Sequence, residues 1–287
     1  MKILNGKDLA EYIQERQAHQ VRALVQAHDI QPKLDIILTV DNPVIEIYMR
    51  LKTAYGAALG VAVEIHRVEQ TAVPELLEAL NADPSVHGII IQLPLSDPSQ
   101  TDDLVNLVNP NKDVDALGVN ASFDPATPMA ILWLLAGYNV ELRGKHILLV
   151  GRGKLVGAPL ERMLASSDLD VEVADRSTNN LSKVVNGADI IVTATGSPAI
   201  IYADMLKSGA VVVDAGVASE NGKTVGDLAE DVYLRDDLTI TPKKGGVGPL
   251  TVCALFDNVI RAARLVIDQR QAEVGSQAGE ADAISDA

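Results

Sequence analysis

The chain has 287 residues, enough to bury a substantial core in each of two domains, and with 47% apolar and 22% charged residues it has the composition of a folded protein rather than a disordered one. A formal charge of −15 excludes a general affinity for nucleic acid or anionic lipid, so a small-molecule partner is expected, and basic residues near its site must overcome the global repulsion locally. The single cysteine, Cys253, excludes an intrachain disulfide and a cysteine-rich metal site, while no apolar stretch approaches the roughly 18 residues of a membrane span, which together predict a cytoplasmic protein with no membrane partner.

In chain order, a helix over 7–28 leads to the apolar run LDIILTV (34–40), one over 43–59 to VAVEIH (61–66), one over 73–82 to GIIIQL (88–93), and one over 99–108 closes this half. Pro110, Pro125 and Pro128 interrupt the next stretch and make residues 110–128 the expected crossing between domains. A helix over 127–138 then precedes HILLV (146–150), a helix over 157–167, VEVA (171–174), DIIVTAT (189–195), AVVVDAG (210–216) and a last helix over 252–270. This alternation predicts an α/β fold of two domains built on parallel sheets, residues 1–118 and 119–251, with helix 252–270 returning to the first domain. Residues 271–287 carry Glu273, Glu280, Asp282 and Asp286 and no basic residue, and read as a disordered acidic tail.

The segment HILLVGRGKLVGAPLERML sets Gly151, Gly153 and Gly157 between a buried strand and a helix, where backbone can approach a pyrophosphate at the helix N-terminus. The spacing G-x-G-x-x-x-G departs from the commoner G-x-G-x-x-G, and a turn that only joins strand to helix also fits it. One strand later, Asp175 would accept from ribose hydroxyls and disfavour a 2′-phosphate, whereas Arg176 and Arg152 would favour one. Thr195 and Gly196, which close DIIVTAT, and Gly216, which closes AVVVDAG, complete the candidate dinucleotide set in this half.

In the first half, DNPVIEIYMRLKTAYGAALG reads as a helix capped by Asp41 or Asn42, with Val44, Ile47, Leu51 and Ala58 as its buried stripe. Tyr48, Lys52 and Tyr55 follow at i, i+4 and i+7, placing an amine and aromatic rings beside that stripe, where desolvation can lower the amine's pKa toward neutrality. A surface lysine lying over a tyrosine gives the same spacing. Gln92 is the one polar side chain in an apolar run closed by Pro94, suited to orient an amine or simply to cap the strand. In NPNKDVDALG, Asp115 could accept a pair of hydrogen bonds from a ring N–H and an exocyclic amino group, and either Asp113 or Asp115 could be a turn residue.

YMRLK, GIIIQLPL, NPNKDVDALG, PATP, VGRGKLVGAP and TPKKGGVGPLT, in this order over about residues 1–270, resemble the bifunctional methylenetetrahydrofolate dehydrogenase/methenyltetrahydrofolate cyclohydrolase family. The resemblance implies an N-terminal folate-binding catalytic domain, a Rossmann-like NAD(P)-binding domain, the folate in a cleft, and a homodimer. It implies oxidation of 5,10-methylenetetrahydrofolate to the methenyl cation and hydrolysis of that cation to 10-formyltetrahydrofolate, in the one-carbon metabolism that feeds purine biosynthesis. Lys52 falls on the family's catalytic lysine, Tyr48 on its pterin-stacking tyrosine, Gln92 on the glutamine that assists the lysine, and Asp115 on the pterin-binding aspartate. Gly151, Arg152 and Gly157 match the cofactor turn, and Gly245, Gly246, Val247, Gly248 and Pro249 match the loop near nicotinamide and folate.

Several positions depart from the family pattern: Ala116 where glycine commonly follows the aspartate, Ala126 for cysteine, Gly153 for serine, Lys243-Lys244 for Val-Pro, and Asp175-Arg176 for His-Ser. The last change removes a serine that would support a 2′-phosphate and leaves the choice of cofactor open; NADP is preferred on the resemblance and on Arg152 and Arg176, with NAD as the alternative. Natural folates often carry glutamate chains, and Arg50, Lys243 and Lys244 are candidates for receiving them. A dehydrogenase without cyclohydrolase activity, or a nucleotide-sensing module, is the competing reading of the same motifs.

Overall fold

The apolar strands and their helices divide into two units in the computed structural model: Met1–Ile13 with Pro125–Ala254, and Gln14–Asp124 with Leu255–Ala287. Residues 1–220 and 223–285 are described, apart from the side chains of Val44, of residues 219, 220, 223 and 224, and of those from 269 onward. The chain runs β1 (Lys2–Ile3), α1 (Gly6–His28), β2 (Lys33–Leu38), α2 (Pro43–Leu59), β3 (Ala62–Arg67), α3 (Val73–Ala82), β4 (Gly88–Ile91), α4 (Thr101–Val105) and α5 (Ala126–Gly137). It continues β5 (Ile147–Val150), α6 (Gly157–Ala165), β6 (Val171–Ala174), α7 (Leu181–Gly187), β7 (Ile190–Thr193), β8 (Val211–Asp214), β9 (Ala218–Glu220), β10 (Lys223–Val225), β11 (Thr239–Ile240) and α8 (Val247–Ser285).

One unit holds a six-stranded sheet in the order β1-β11-β8-β7-β5-β6, parallel throughout. Both faces of its inner strands are covered, so Ile147–Val150 and Ile190–Thr193 are buried at every position and read as unbroken apolar runs rather than alternating ones. The other unit holds a three-stranded parallel sheet, β3-β2-β4, with Ile37, Ile89 and Ile91 packed against Val73, Leu77 and Leu80 of α3. Asp35 is fully buried in the central strand of this sheet; Lys33 Nζ lies 3.5 Å from its Oδ1 as a countercharge and also 2.7 Å from Glu64, and His66 Nε2 lies 2.6 Å from the same Asp35 oxygen.

The two compact units divide the chain at other points than the expected boundaries. Residues 1–13 group with the six-stranded unit because Lys2 and Ile3 form a strand that pairs with Thr239 and Ile240, a two-residue strand too short to leave an apolar run. Residues 119–124 belong with the three-stranded unit, and the last helix starts at Val247 rather than 252, its first two turns grouping with the six-stranded unit and only the part from Leu255 with the other. The helical backbone continues to Ser285 through a proline-free stretch rich in good helix formers, where a disordered tail over 271–287 is expected from composition; the side chains of that tail, and residues 286 and 287 entirely, lie outside the described residues.

Candidate active site

Lysine 52 owes its position to the packing of α2. Asn42 caps the helix, its Oδ1 accepting from Ile45 N at 2.9 Å, and Pro43 occupies the first helical position. The buried positions are Ile45, Met49, Gly56 and Leu59, and they overturn the expected stripe: Ile47 and Leu51 are each 51% exposed, Ala58 is exposed, and the side chain of Val44 lies outside the described residues. Apolar residues on two sides of this helix made the choice of face ambiguous. Gly56 decides it, because a Cβ there would stand 2.5 Å from a Val63 methyl and 3.2 Å from the Phe256 ring. Lys52, at i+7 from Ile45, therefore lies on the buried stripe and not beside it, while Tyr48 is 42% exposed one turn away and Tyr55 is tied to Gln17, its OH donating at 2.8 Å.

Across from Lys52, the chain leaving β4 is held in register by Gln92 N donating to Ile37 O at 2.9 Å. Lys52 Nζ donates to Gln92 Oε1 at 2.9 Å, and the other end of that amide is fixed by Gln92 Nε2 donating to Leu93 O at 2.9 Å. The amide thus accepts from the lysine without adding a charge. Burial pushes the Lys52 amine below the ordinary lysine range, partly opposed by the nearby Asp115 carboxylate, and burial raises Asp115, partly opposed by Lys52.

Asp113 and Asp115 separate into the two roles left open by the sequence. Asp113 is buried and serves the turn, its Oδ2 accepting from Gly118 N at 2.8 Å, whereas Asp115 is the carboxylate coupled to Lys52. Ala116 follows Asp115 at φ +55°, a left-handed conformation that accounts for the family's glycine there. Lys112 fixes the same segment to the end of α3 by donating to the carbonyls of Leu80, Asn81 and Asp83. From α8, the buried Asn258 donates to Val114 O and Asp124 O, both at 2.9 Å, and so braces the residue before Asp115. The sequence reading missed Asn258, an isolated polar residue in an otherwise apolar helix face.

In the six-stranded unit, the turn 151–157 is shaped by close backbone approach. Gly151 has φ +102°, and a Cβ on Gly157 would fall 1.9 Å from Gly151 O, so neither position admits a side chain. At Gly153 a Cβ would meet only Ala194 O at 4.0 Å, consistent with the serine common there. A tight glycine turn opening onto the N-terminus of α6 fits a dinucleotide's pyrophosphate. Thr195 and Gly196 follow β7, and Gly216 follows β8, at the carboxyl ends of neighbouring parallel strands where such folds bind ligands.

Charged residues at the β6 tip are already engaged. Arg152 is gripped by Glu161, Nε to Oε2 at 2.7 Å and Nη2 to Oε1 at 3.1 Å, which raises its pKa further, and Asp175 Oδ1 accepts from Ser177 N and Oγ at 2.8 and 2.6 Å, which holds its carboxyl below the usual range. Arg176 is exposed beside them. In the loop 245–249, Gly245 has φ +83° and its carbonyl accepts from Lys7 N at 3.1 Å; Gly246 and Val247 are buried, with Pro249 in the first turn of α8. Lys243 pairs with Glu230 and lies 4.9 Å over the Tyr233 ring, while Lys244 is exposed. Among the described residues no helix is long and apolar enough to cross a membrane.

Comparison with known proteins matches this arrangement along nearly the whole chain. Residues 4–115 match the family model of the tetrahydrofolate dehydrogenase/cyclohydrolase catalytic domain, and residues 125–267 match that of its NAD(P)-binding domain. The bifunctional protein FolD of Lactobacillus acidophilus is 35% identical over 276 residues, covering 92% of this chain and 97% of that protein, and that of Zymomonas mobilis is 36% identical, covering 91% and 96%. The crystal structure of the bifunctional FolD enzyme of Campylobacter jejuni superposes with a TM-score of 0.86 at 33% identity, covering 92% of this chain and 99% of that one. The FolD enzyme of Trypanosoma brucei, solved with NADP and an inhibitor, gives a TM-score of 0.86 at 29% identity, covering 92% and 98%. On these matches the chain belongs to the tetrahydrofolate dehydrogenase/cyclohydrolase family.

Proposed function

We propose that Lys52, Gln92, Tyr48 and Asp115 carry the chemistry of this family in this chain. The activities are those of the family: oxidation of 5,10-methylenetetrahydrofolate to 5,10-methenyltetrahydrofolate with NAD(P), and hydrolysis of the product to 10-formyltetrahydrofolate. The observation that carries the assignment is the Lys52–Gln92 hydrogen bond on an amine whose pKa burial has lowered.

When bound, the dinucleotide supplies the electron sink that takes the hydride from the bridging carbon. Asp115 accepts hydrogen bonds from the pterin's N–H groups and Tyr48 stacks on the ring, so that orientation rather than bond chemistry is the protein's contribution to this step. Hydrolysis then needs a base. Neutral Lys52 takes a proton from the water that adds to the methenyl carbon, and the resulting ammonium returns a proton to N5 as the carbon–N5 bond breaks. The hydroxyl proton leaves to solvent as the formyl carbonyl forms, balancing the positive charge lost from the cation. Gln92 keeps the amine aimed through both transfers, and its neutrality avoids the rise in lysine pKa that a carboxylate partner would bring.

The glycine turn 151–157, with Thr195, Gly196, Gly216 and the loop 245–249, binds the dinucleotide in this reading, and Arg176 is the cation left to receive a 2′-phosphate because Glu161 occupies Arg152. The same reading takes the functional form as a homodimer in a reducing, cytoplasmic setting, in keeping with one buried cysteine. For polyglutamylated folates, Lys244 and Arg50 are better candidates than Lys243, which is paired with Glu230.

Lys52→Met, assayed separately for methylene oxidation and methenyl hydrolysis with folding checked by circular dichroism, tests the assignment. Loss of hydrolysis by about 10²- to 10⁴-fold is expected for removal of a general acid–base. Unchanged hydrolysis in a folded variant would remove Lys52 from the mechanism.

A further inference from the structure

We propose that Asp227, acting with Asp214, is a positioning pair that shapes the dinucleotide site. The proposal rests on the reading that Thr195, Gly196 and Gly216 line that site. Asp227 is fully buried, and each of its oxygens accepts from one backbone N–H of the loop after β7: Oδ2 from Thr195 N at 2.8 Å and Oδ1 from Ser197 N at 3.1 Å. Asp214, at the end of β8, holds the other side. Its Oδ1 accepts from Thr193 Oγ1 at 3.1 Å, Gly216 N at 2.9 Å and Asp227 N at 3.2 Å, and its Oδ2 from Leu228 N at 3.3 Å. Its own N–H donates to Thr241 Oγ1 at 2.9 Å, where β11 ends. The two carboxylates thereby tie together the carboxyl ends of β7 and β8, and the Asp214 N–H adds that of β11.

Two glycines make room for them. A Cβ on Gly216 would fall 2.1 Å from Asp227 Oδ1, and one on Gly226 would fall 2.0 Å from Asp214 Oδ2. The arrangement is costly as mere scaffolding, since burial pushes the Asp214 carboxyl above its usual range, with a smaller push from the Asp227 charge, against the backbone N–H groups of Asp227, Gly216 and Leu228 that hold it down. Its return is a loop whose Thr195 and Ser197 N–H groups are held by the Asp227 carboxylate, the prior ordering that lowers the reorganisation cost of binding.

The test is Asp227→Asn, which turns an amide NH2 against either the Thr195 or the Ser197 N–H. The KM for NAD(P) is expected to rise about ten- to hundredfold, the effect of losing a charge-assisted hydrogen bond at the loop, with a smaller fall in dehydrogenase kcat. Methenyl hydrolysis, measured without dinucleotide, is expected to stay within about twofold, because its residues lie on other elements. A parallel loss of both activities, or no change in KM in a folded variant, overturns the proposal. Should Asp227→Asn not fold, Gly226→Ala, at a residue outside the proposed site, displaces the Asp214 carboxylate of the same pair, its Cβ falling 2.0 Å from Oδ2, and carries the same expectation. Gly196→Val, followed by NADH fluorescence titration, separates the two levels: unaffected binding refutes the site reading, whereas weakened binding with a normal Asp227→Asn refutes the positioning role alone.

Discussion

On the reading proposed above, the folate-side cluster and the dinucleotide turn hold their ligands with different materials. At Lys52, Gln92 and Asp115 the work is done by side chains, whose charges are tuned by burial and by one another. At 151–157 it is done by backbone, with the local cation Arg152 already neutralised by Glu161. A side-chain site responds to chemistry and pH, whereas a backbone site responds to shape. Substitutions of similar size should therefore act differently in the two units.

Gly157→Val is the largest such break on the backbone side. Its Cβ would overlap Gly151 O, so the turn must open by an ångström or more, and NAD(P)-dependent oxidation should fall by about 10²-fold or more while cofactor-free methenyl hydrolysis persists. Gly153→Ser, at a position with open space, should leave both rates within about twofold. Steady-state rates of the purified variants for each half-reaction check the contrast; equal losses in both would show that the turn supports the fold and not the cofactor alone.

The sequence revealed these two regions unequally. The turn was legible as a pattern because glycine spacing after an apolar strand has few other uses, and Gln92 because a lone polar residue closing a buried strand is unusual. Asp214 is likewise the one polar side chain in AVVVDAG, and the same rule would have found it. The buried face of α2 was not legible, since Ile47 and Leu51 are apolar yet exposed and the true stripe runs through the small Gly56 and the charged Lys52. Asp227 left no local signal, because it acts on the N–H groups of Thr195 and Ser197, far away in sequence. The first strand escaped for want of length, as two residues carry no periodicity.

Cofactor choice sharpens the comparison at a point where a side chain assists the backbone site. With Arg152 held by two hydrogen bonds to Glu161 and Asp175 presenting a carboxylate, Arg176 is the cation left for a 2′-phosphate. Arg176→Ala should raise the KM for NADP about tenfold and leave that for NAD nearly unchanged. Paired titrations with the two cofactors read the ratio; a ratio that survives the substitution removes Arg176 as its source.

The smallest expected effect is a shift along the pH axis, and it is specific to the side-chain site. Lys52 must be neutral to accept a proton, so hydrolysis should fall as pH drops through the Lys52 pKa, which burial has moved below the ordinary lysine range. The Asp115 carboxylate opposes that shift by favouring the ammonium. Asp115→Asn removes the opposing charge, so the Lys52 pKa falls further and the acid limb of kcat moves to lower pH, even as the KM for folate rises through loss of the pterin contacts. Measuring kcat at saturating methenyltetrahydrofolate, with the uncatalysed hydrolysis subtracted at each pH, separates the two effects, because kcat reports ionisations of the substrate complex. A limb that moves to higher pH would mean that the titrating base is not an amine held beside this carboxylate.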